Sequence, residues 1–159
     1  MKYNNIYIFG VGGHARVILS ELLLINNHKS IIFIAESEQE SATININRID
    51  YQVINDLNEL KYLYDEDSCG IIGIGSNIKR LLISQKIFEL IPNFSWMSLL
   101  SKNAIISPSV NIGAGTVVIS GSQINVGSII GKHCIINSKA SIDHDNIIGD
   151  FINISPMVV

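Results

Sequence analysis

Cysteine, charge and long apolar runs are all scarce in this chain, and each scarcity removes a class of protein. Two cysteines, Cys69 and Cys134, in 159 residues do not make the disulfide framework of a small secreted scaffold. Charged residues are only 16% of the chain, and the net charge of −3 leaves no basic footprint for nucleic acid or an anionic membrane. No apolar run reaches the roughly 20 residues that span a bilayer. Met1-Lys2-Tyr3-Asn4-Asn5 leads into a short strand and not into the apolar core of a cleavable signal. No set of histidines and cysteines has metal-ligand spacing, so no metal is expected. These absences predict a cytoplasmic protein with neither a nucleic-acid nor a membrane partner. The hydrophobic content of 47% excludes disorder and supplies a core.

What is present is a repeat. From Ile106 every sixth residue is a branched aliphatic: Ile106, Ile112, Val118, Ile124, Ile130, Ile136, Ile142, Ile148 and Ile154. A period of six fits neither a helix nor simple strand alternation. It fits a chain that turns a corner every six residues and points one aliphatic inward per face. A second inward position comes four residues later and is mostly small or apolar: Val110, Thr116, Ser122, Ser128, Cys134, Ala140, Asn146, Ile152, Val158. Gly113, Gly131 and Gly149 recur at one full turn and are expected to relieve φ at the same corner each time. Stacked turns of this kind make a parallel β-helix from about Ser101 to Val159. The pattern is still running at Val158-Val159, so it is expected to lack a cap.

The front half alternates strands and helices. Ile6–Phe9 is a buried strand, Gly10-Val11-Gly12-Gly13-His14-Ala15 a glycine turn, and Ala15, Ile18, Leu19, Leu22 and Ile25 one face of a helix. Ile31–Ile34 is a second strand ending at Glu36; residues 37–50 read as a loop with a short strand after it. Asp56-Leu57-Asn58-Glu59 resembles a capping box, Ile71–Ile74 is a third strand, and Gly75-Ser76-Asn77 opens a helix ending near Pro92. The alternation implies a small parallel α/β sheet. The glycines would let a phosphate approach the first helix, and Glu36 stands where an acid would meet a ribose or base. Only one mononucleotide half fits before the repeats begin. A nucleotide or nucleotide-sugar is therefore a better ligand than a dinucleotide, which disfavours a nicotinamide-linked oxidoreductase.

Gly10–Ala15, Ile74-Gly75-Ser76-Asn77-Ile78-Lys79-Arg80 and Ser141-Ile142-Asp143-His144-Asp145-Asn146-Ile147-Ile148-Gly149-Asp150 together resemble the NeuD/PglD-like family, the sialic acid O-acetyltransferases and bacillosamine-pathway N-acetyltransferases. The likeness covers essentially the whole chain. It implies a small Rossmann-like parallel α/β domain, 1–98, followed by a left-handed β-helix of hexapeptide repeats, 99–159. It also implies a homotrimer with active sites between subunits and acetyl-CoA as donor. The acceptor would be a nucleotide-linked amino sugar, acetylated on nitrogen, or a sialic acid, acetylated on oxygen, in surface-glycan biosynthesis. By the same likeness Gly12, Gly13, His14 and Glu36 lie around the nucleotide, with Asn77 and Arg80 as helpers. Asn153 stands where family members commonly carry a histidine associated with the acetyl-CoA thioester. Members also continue for further coils, so a shortened, catalytically incomplete trimeric scaffold or sugar-nucleotide-binding protein is the alternative reading.

Acetyl transfer needs a base near neutrality, and histidine suits it. His144, two residues after the inward Ile142, is expected at an outward corner with Asp145 beside it to orient the ring. On position alone the pair also reads as a solvated corner; the family motif favours catalysis. His133 lacks an acidic neighbour and is expected at the surface. Cys134 falls on the inward register and is expected in the core.

Overall fold

The computed structural model describes residues 3–25, 28–35 and 43–159. Strand β1 (Tyr3–Phe9) is central because both of its faces are apolar: Ile6 and Ile8 enter one core cluster, Tyr7 and Phe9 the other. Helix α1 (Gly13–Ile25) covers the first face with Ala15, Ile18, Leu19 and Leu22. β1 pairs in parallel with β2 (His28–Ile34) on one side and β5 (Cys69–Ile72) on the other. The second face is covered by α2 (Leu60–Leu63) and α3 (Asn77–Leu90), through Leu60 and Ile87.

Two further strands, β3 (Thr43–Ile46) and β4 (Ile49–Ile54), complete a five-stranded sheet in the order β3-β4-β2-β1-β5. β3 falls inside the stretch expected to be loop. Ile44 and Ile46 alternate with polar neighbours there, and Asn47 and Arg48 take φ of 54° and 65°, the left-handed pair that a tight antiparallel hairpin needs. The Asp56 cap forms, accepting from the Asn58 amide at 2.9 Å, and opens a short 3₁₀ turn (Leu57–Glu59) before α2.

The repeats build three parallel sheets from two-residue strands. β7 (Ile105–Ile106), β10 (Gln123–Ile124) and β13 (Ser141–Ile142) form one face. β8 (Asn111–Ile112), β11 (Ile129–Ile130) and β14 (Ile147–Ile148) form the second. β6 (Leu99–Leu100), β9 (Val117–Val118), β12 (Ile135–Ile136) and β15 (Asn153–Ile154) form the third, so pairing begins at Leu99, two residues before Ser101. Every aliphatic of the six-residue series lies in or against one core with Cys134 and Ala140. The second inward register is buried from Thr116 to Ala140 and exposed at Asn146, Ile152 and Val158, in the last coil.

The corners correct one expectation. Gly113, Gly131 and Gly149 do not take positive φ; that falls instead on Gly115, Gly121, Gly127, His133, Lys139, Asp145, Phe151 and Met157, six apart. Gly113 and Gly131 are needed for close stacking, since a Cβ would come within 2.6 Å of backbone in the following coil.

The third face meets the α/β part. Leu99 and Val117, outward on that face, together with Ile119 just past it, join the α1-side core. Glu21 of α1, 6% exposed, accepts from the Ser120 amide and hydroxyl, and the Lys102 ammonium donates to the Leu24 carbonyl at 2.9 Å. Ile136 has no exposed surface. Ile136→Asp should unfold the β-helix, because an unpaired buried charge costs several kcal/mol. The check is loss of the cooperative thermal transition by circular dichroism.

Candidate functional site

Two groups of residues could do chemistry. The first lies at the carboxyl ends of the parallel strands, where β1 sits between β2 and β5 and the chain direction of the crossovers reverses, the usual crevice of open α/β sheets. Gly10 is required: its φ is +106°, and a Cβ would lie 2.9 Å from Ile74 Cγ1 and 3.2 Å from the Gly73 carbonyl oxygen. Gly73 lets α1 press directly on the strand end, since a Cβ there would meet Ala15 at 2.7 Å. That contact presents the first turn of α1. Gly12 and Gly13 are exposed with open space over them, and the helix's free N–H groups and positive dipole end suit an anion.

Beside the loop is a pocket of about 110 Å³ lined by Gly10, Ala35, Asn55, Ile74 and Lys86, among others. Glu36 lies outside the described residues; Ala35, its neighbour, is on the pocket wall. Asn55 and Lys86 carried no sequence signal, because a single polar residue after a strand or within a helix has no period or motif. His14, half-buried, has an Nε2 without a hydrogen-bond partner. Burial, and then the Arg80 charge, hold its pKa down at about 4, so it is neutral at pH 7.

Arg80 has its donors committed within the fold. It is 1% exposed and makes five hydrogen bonds: Nε to the His133 carbonyl (2.9 Å), Nη1 to the Ile74 and Gly75 carbonyls (3.1 and 2.8 Å), and Nη2 to Asn77 Oδ1 and the Phe151 carbonyl (2.9 and 2.7 Å). No N–H remains for a ligand. Asn77 is exposed at the start of α3 and is tied to this guanidinium. His133 corrects the surface expectation too. It is 5% exposed, stacked on Phe151 at 5.1 Å and edge-on to Trp96 at 4.7 Å. The missing signal is the left-handed corner, which folds its ring over Gly115 and into the seam.

The second group is His144 and Asp145. His144 Nδ1 lies 2.8 Å from Asp145 Oδ2, with the two side chains 62% and 76% exposed. The bond to Asp145, then the Asp143 charge, raise the His144 pKa. Asp143 accepts from the His144 amide and from Asn125 Nδ2, which lower its own pKa. With Nδ1 engaged, Nε2 is the ring nitrogen left to exchange a proton. This corner joins the first and second faces, so it is the edge of the prism opposite the third face, against which the α/β part packs. The glycine loop and His144 of one chain therefore do not converge. Asn153 lies on the third face, partly buried, with an unpartnered Oδ1. Cys134 is buried and free, its Sγ 3.0 Å from the Gly149 carbonyl oxygen. Among the described residues no group of three or more His, Cys, Asp or Glu could hold a metal ion, and no helix is long and apolar enough to cross a membrane.

The family model for the PglD N-terminal domain matches residues 5–87. The acetyltransferase domain of PglB from Neisseria gonorrhoeae FA1090 is similar over 96% of this chain and 71% of its own, with 26% identity and a TM-score of 0.84. The same domain in complex with acetyl coenzyme A gives 27% identity and 0.82 over 97% of this chain and 71% of its own. PerB from Caulobacter crescentus, in complex with CoA and GDP-perosamine, is 28% identical over 96% of this chain and 69% of its own, with a TM-score of 0.79. The coils here are thus those of a left-handed β-helix.

The seam generates two expected outcomes. Arg80→Ala would leave four carbonyls without their donor and should destabilise the fold by about 3–5 kcal/mol, read from denaturant melts. Stability should also fall with acid. His14 and His133 have folded pKa values of about 4 against an ordinary 6.5, the latter lowered by burial and then by Arg80. Their contribution is complete above about pH 6.5 and is lost as pH falls toward 4, because the unfolded chain takes up the protons first. Melting temperature against pH checks this, and His133→Phe should flatten part of the slope.

Proposed function

As the chain belongs to the family of the PglD N-terminal domain, we propose that it transfers the acetyl group of acetyl-CoA to the amine of a nucleotide-linked amino sugar. The observation that carries this reading is the likeness, at 27–28% identity over nearly the whole chain, to an acetyltransferase domain solved in complex with acetyl coenzyme A and to PerB solved with CoA and GDP-perosamine. A nucleotide-sugar fits the glycine loop better than a sialic acid does, because the open N-terminus of α1 offers N–H groups to phosphate.

In this reading Gly12, Gly13 and His14 hold the diphosphate, and Glu36 with the adjoining pocket holds the nucleoside. Neutral His14 can donate a hydrogen bond without adding charge. Asn77, steadied by Arg80, borders the same loop. Asn153 faces the coenzyme, where an amide can only bond and not exchange a proton. His144 Nε2 takes a proton from the acceptor nitrogen as that nitrogen attacks the thioester carbonyl. Asp145 keeps the other ring nitrogen protonated and stabilises the imidazolium. The tetrahedral intermediate then collapses, and the imidazolium gives its proton to the departing sulfur, releasing the CoA thiol.

Because the loop and the base lie on opposite sides of one chain, the reaction requires the loop of one copy and the corner of another. Exposed Ile105, Ile129 and Ile147 on the two free faces support such an assembly, which we take to be a homotrimer. We divide each chain into 1–98, which binds the acceptor, and 99–159, which carries the base, and place the enzyme in the cytoplasm with its two substrates.

The test is incubation with acetyl-CoA and a panel of nucleotide-4-amino sugars and sialic acids, followed by mass spectrometry for the gain of one acetyl group. His144→Ala should lower turnover by roughly 10²–10⁴-fold with acceptor binding nearly unchanged, and Asp145→Asn by less. Full turnover of His144→Ala at neutral pH would return the pair to a solvated corner.

A further inference from the structure

The left-handed corners stack in columns, one coil above another, eighteen residues apart. Gly115 lies under His133, Gly121 under Lys139 and Gly127 under Asp145. In each column a glycine in the lower coil faces the side chain of its upper neighbour. The contact at Gly127 is with the Asp145 carboxylate itself: a Cβ there would fall on Oδ1, nearer than real Cβ contacts come. The other oxygen of that carboxylate, Oδ2, is the one bonded to His144. Each backbone is held by the coil beneath it: Gly127 N donates to Ser109 Oγ at 3.1 Å, and Asp145 N to the Val126 carbonyl at 3.0 Å.

We infer that Gly127 is a positioning residue for the proposed base: its missing side chain is the space in which the Asp145 carboxylate lies flat and reaches His144. This rests on the reading of His144 as the base, but the geometry can be tested apart from it. Oδ1 is the free end of a rotatable side chain, so an added methyl group displaces the carboxylate more readily than the coil. The titrating groups that face His144 are Asp143 and Asp145, from its own coil. The coil beneath presents Asn125, Val126 and Gly127, none of which titrates.

Gly121 supplies the control. Its φ of +77° matches the +76° of Gly127, so alanine strains both backbones alike, yet a Cβ at Gly121 would meet nothing nearer than Lys139 Cγ at 3.2 Å.

The experiment is an NMR titration of the His144 ring in Gly127→Ala, Gly127→Asn, Gly121→Ala and Asp145→Ala, with pH profiles of kcat alongside. Asparagine adds the same Cβ on the side chain that best tolerates left-handed backbone, which keeps the test open if alanine does not fold. The expected result is a His144 pKa lowered from the parent toward its Asp145→Ala value in both Gly127 variants and unchanged in Gly121→Ala. The acid limb of kcat should move with it, kcat should fall by less than the 10²–10⁴-fold of losing the base, and the acceptor KM should hold. A parental His144 pKa in a folded Gly127 variant overturns the inference. A lowered pKa with unchanged turnover supports Gly127 as the positioner of Asp145 and overturns the catalytic reading of His144 instead.

Discussion

The guanidinium of Arg80 is the interaction on which the arrangement of the two halves depends. It is buried with no carboxylate partner among the described residues, which would be prohibitive had it not five oxygen acceptors around it. Two belong to the turn after β5, one to the side chain opening α3, and two to corners of successive coils. A planar fork with fixed donor directions can bridge three segments in this way, and a lysine cannot. Trp96, His133 and Phe151 close over the same seam. The glycine loop thereby acquires a fixed relation to the coils, because the turn that Arg80 grips is the one whose Gly73 and Ile74 carry Ala15 and Gly10.

The β-helix contributes a different kind of order. Its strands are two residues long and its ladders short, so its stability rests on the column of aliphatics and on each coil sitting squarely on the last. From Gly115 onward the corners take left-handed backbone every six residues, and that conformation disfavours most side chains. The middle coil meets the demand with glycine; the coil above uses His133, Lys139 and Asp145, whose side chains descend over those glycines. One of these joins the seam, and another faces the proposed base. Corner strain is thus spent at the two places where side-chain direction matters most.

The architecture is legible in the sequence because its constraint is periodic. Ile106 through Ile154 announce the prism, and Ile6–Phe9 with Gly10–Ala15 announce a strand, a turn and a helix. Features without a period stay hidden. The spacing of Gly113 and Gly131 suggests relief of φ, yet the column at Gly115, Gly121 and Gly127 takes that task. His133 resembles a surface residue because burial by a separate part of the chain leaves no mark on its own hexapeptide. Arg80 sits in the Ile74–Arg80 motif, and only the coils it reaches reveal that its donors are used within the fold. β3 is masked by polar residues that face out of an edge hairpin.

Pairing eighteen residues apart also restricts how such a chain can change length. Removing or adding one whole coil leaves every column in register and moves the later coils by about 4.8 Å along the axis. Removing a single hexapeptide instead turns everything beyond it by a third of a revolution. His144 would then leave its free edge for one of the two edges that flank the α/β part, without any residue of its own having mutated. Drift in length within this architecture is therefore quantised, and the quantum is set by the number of faces.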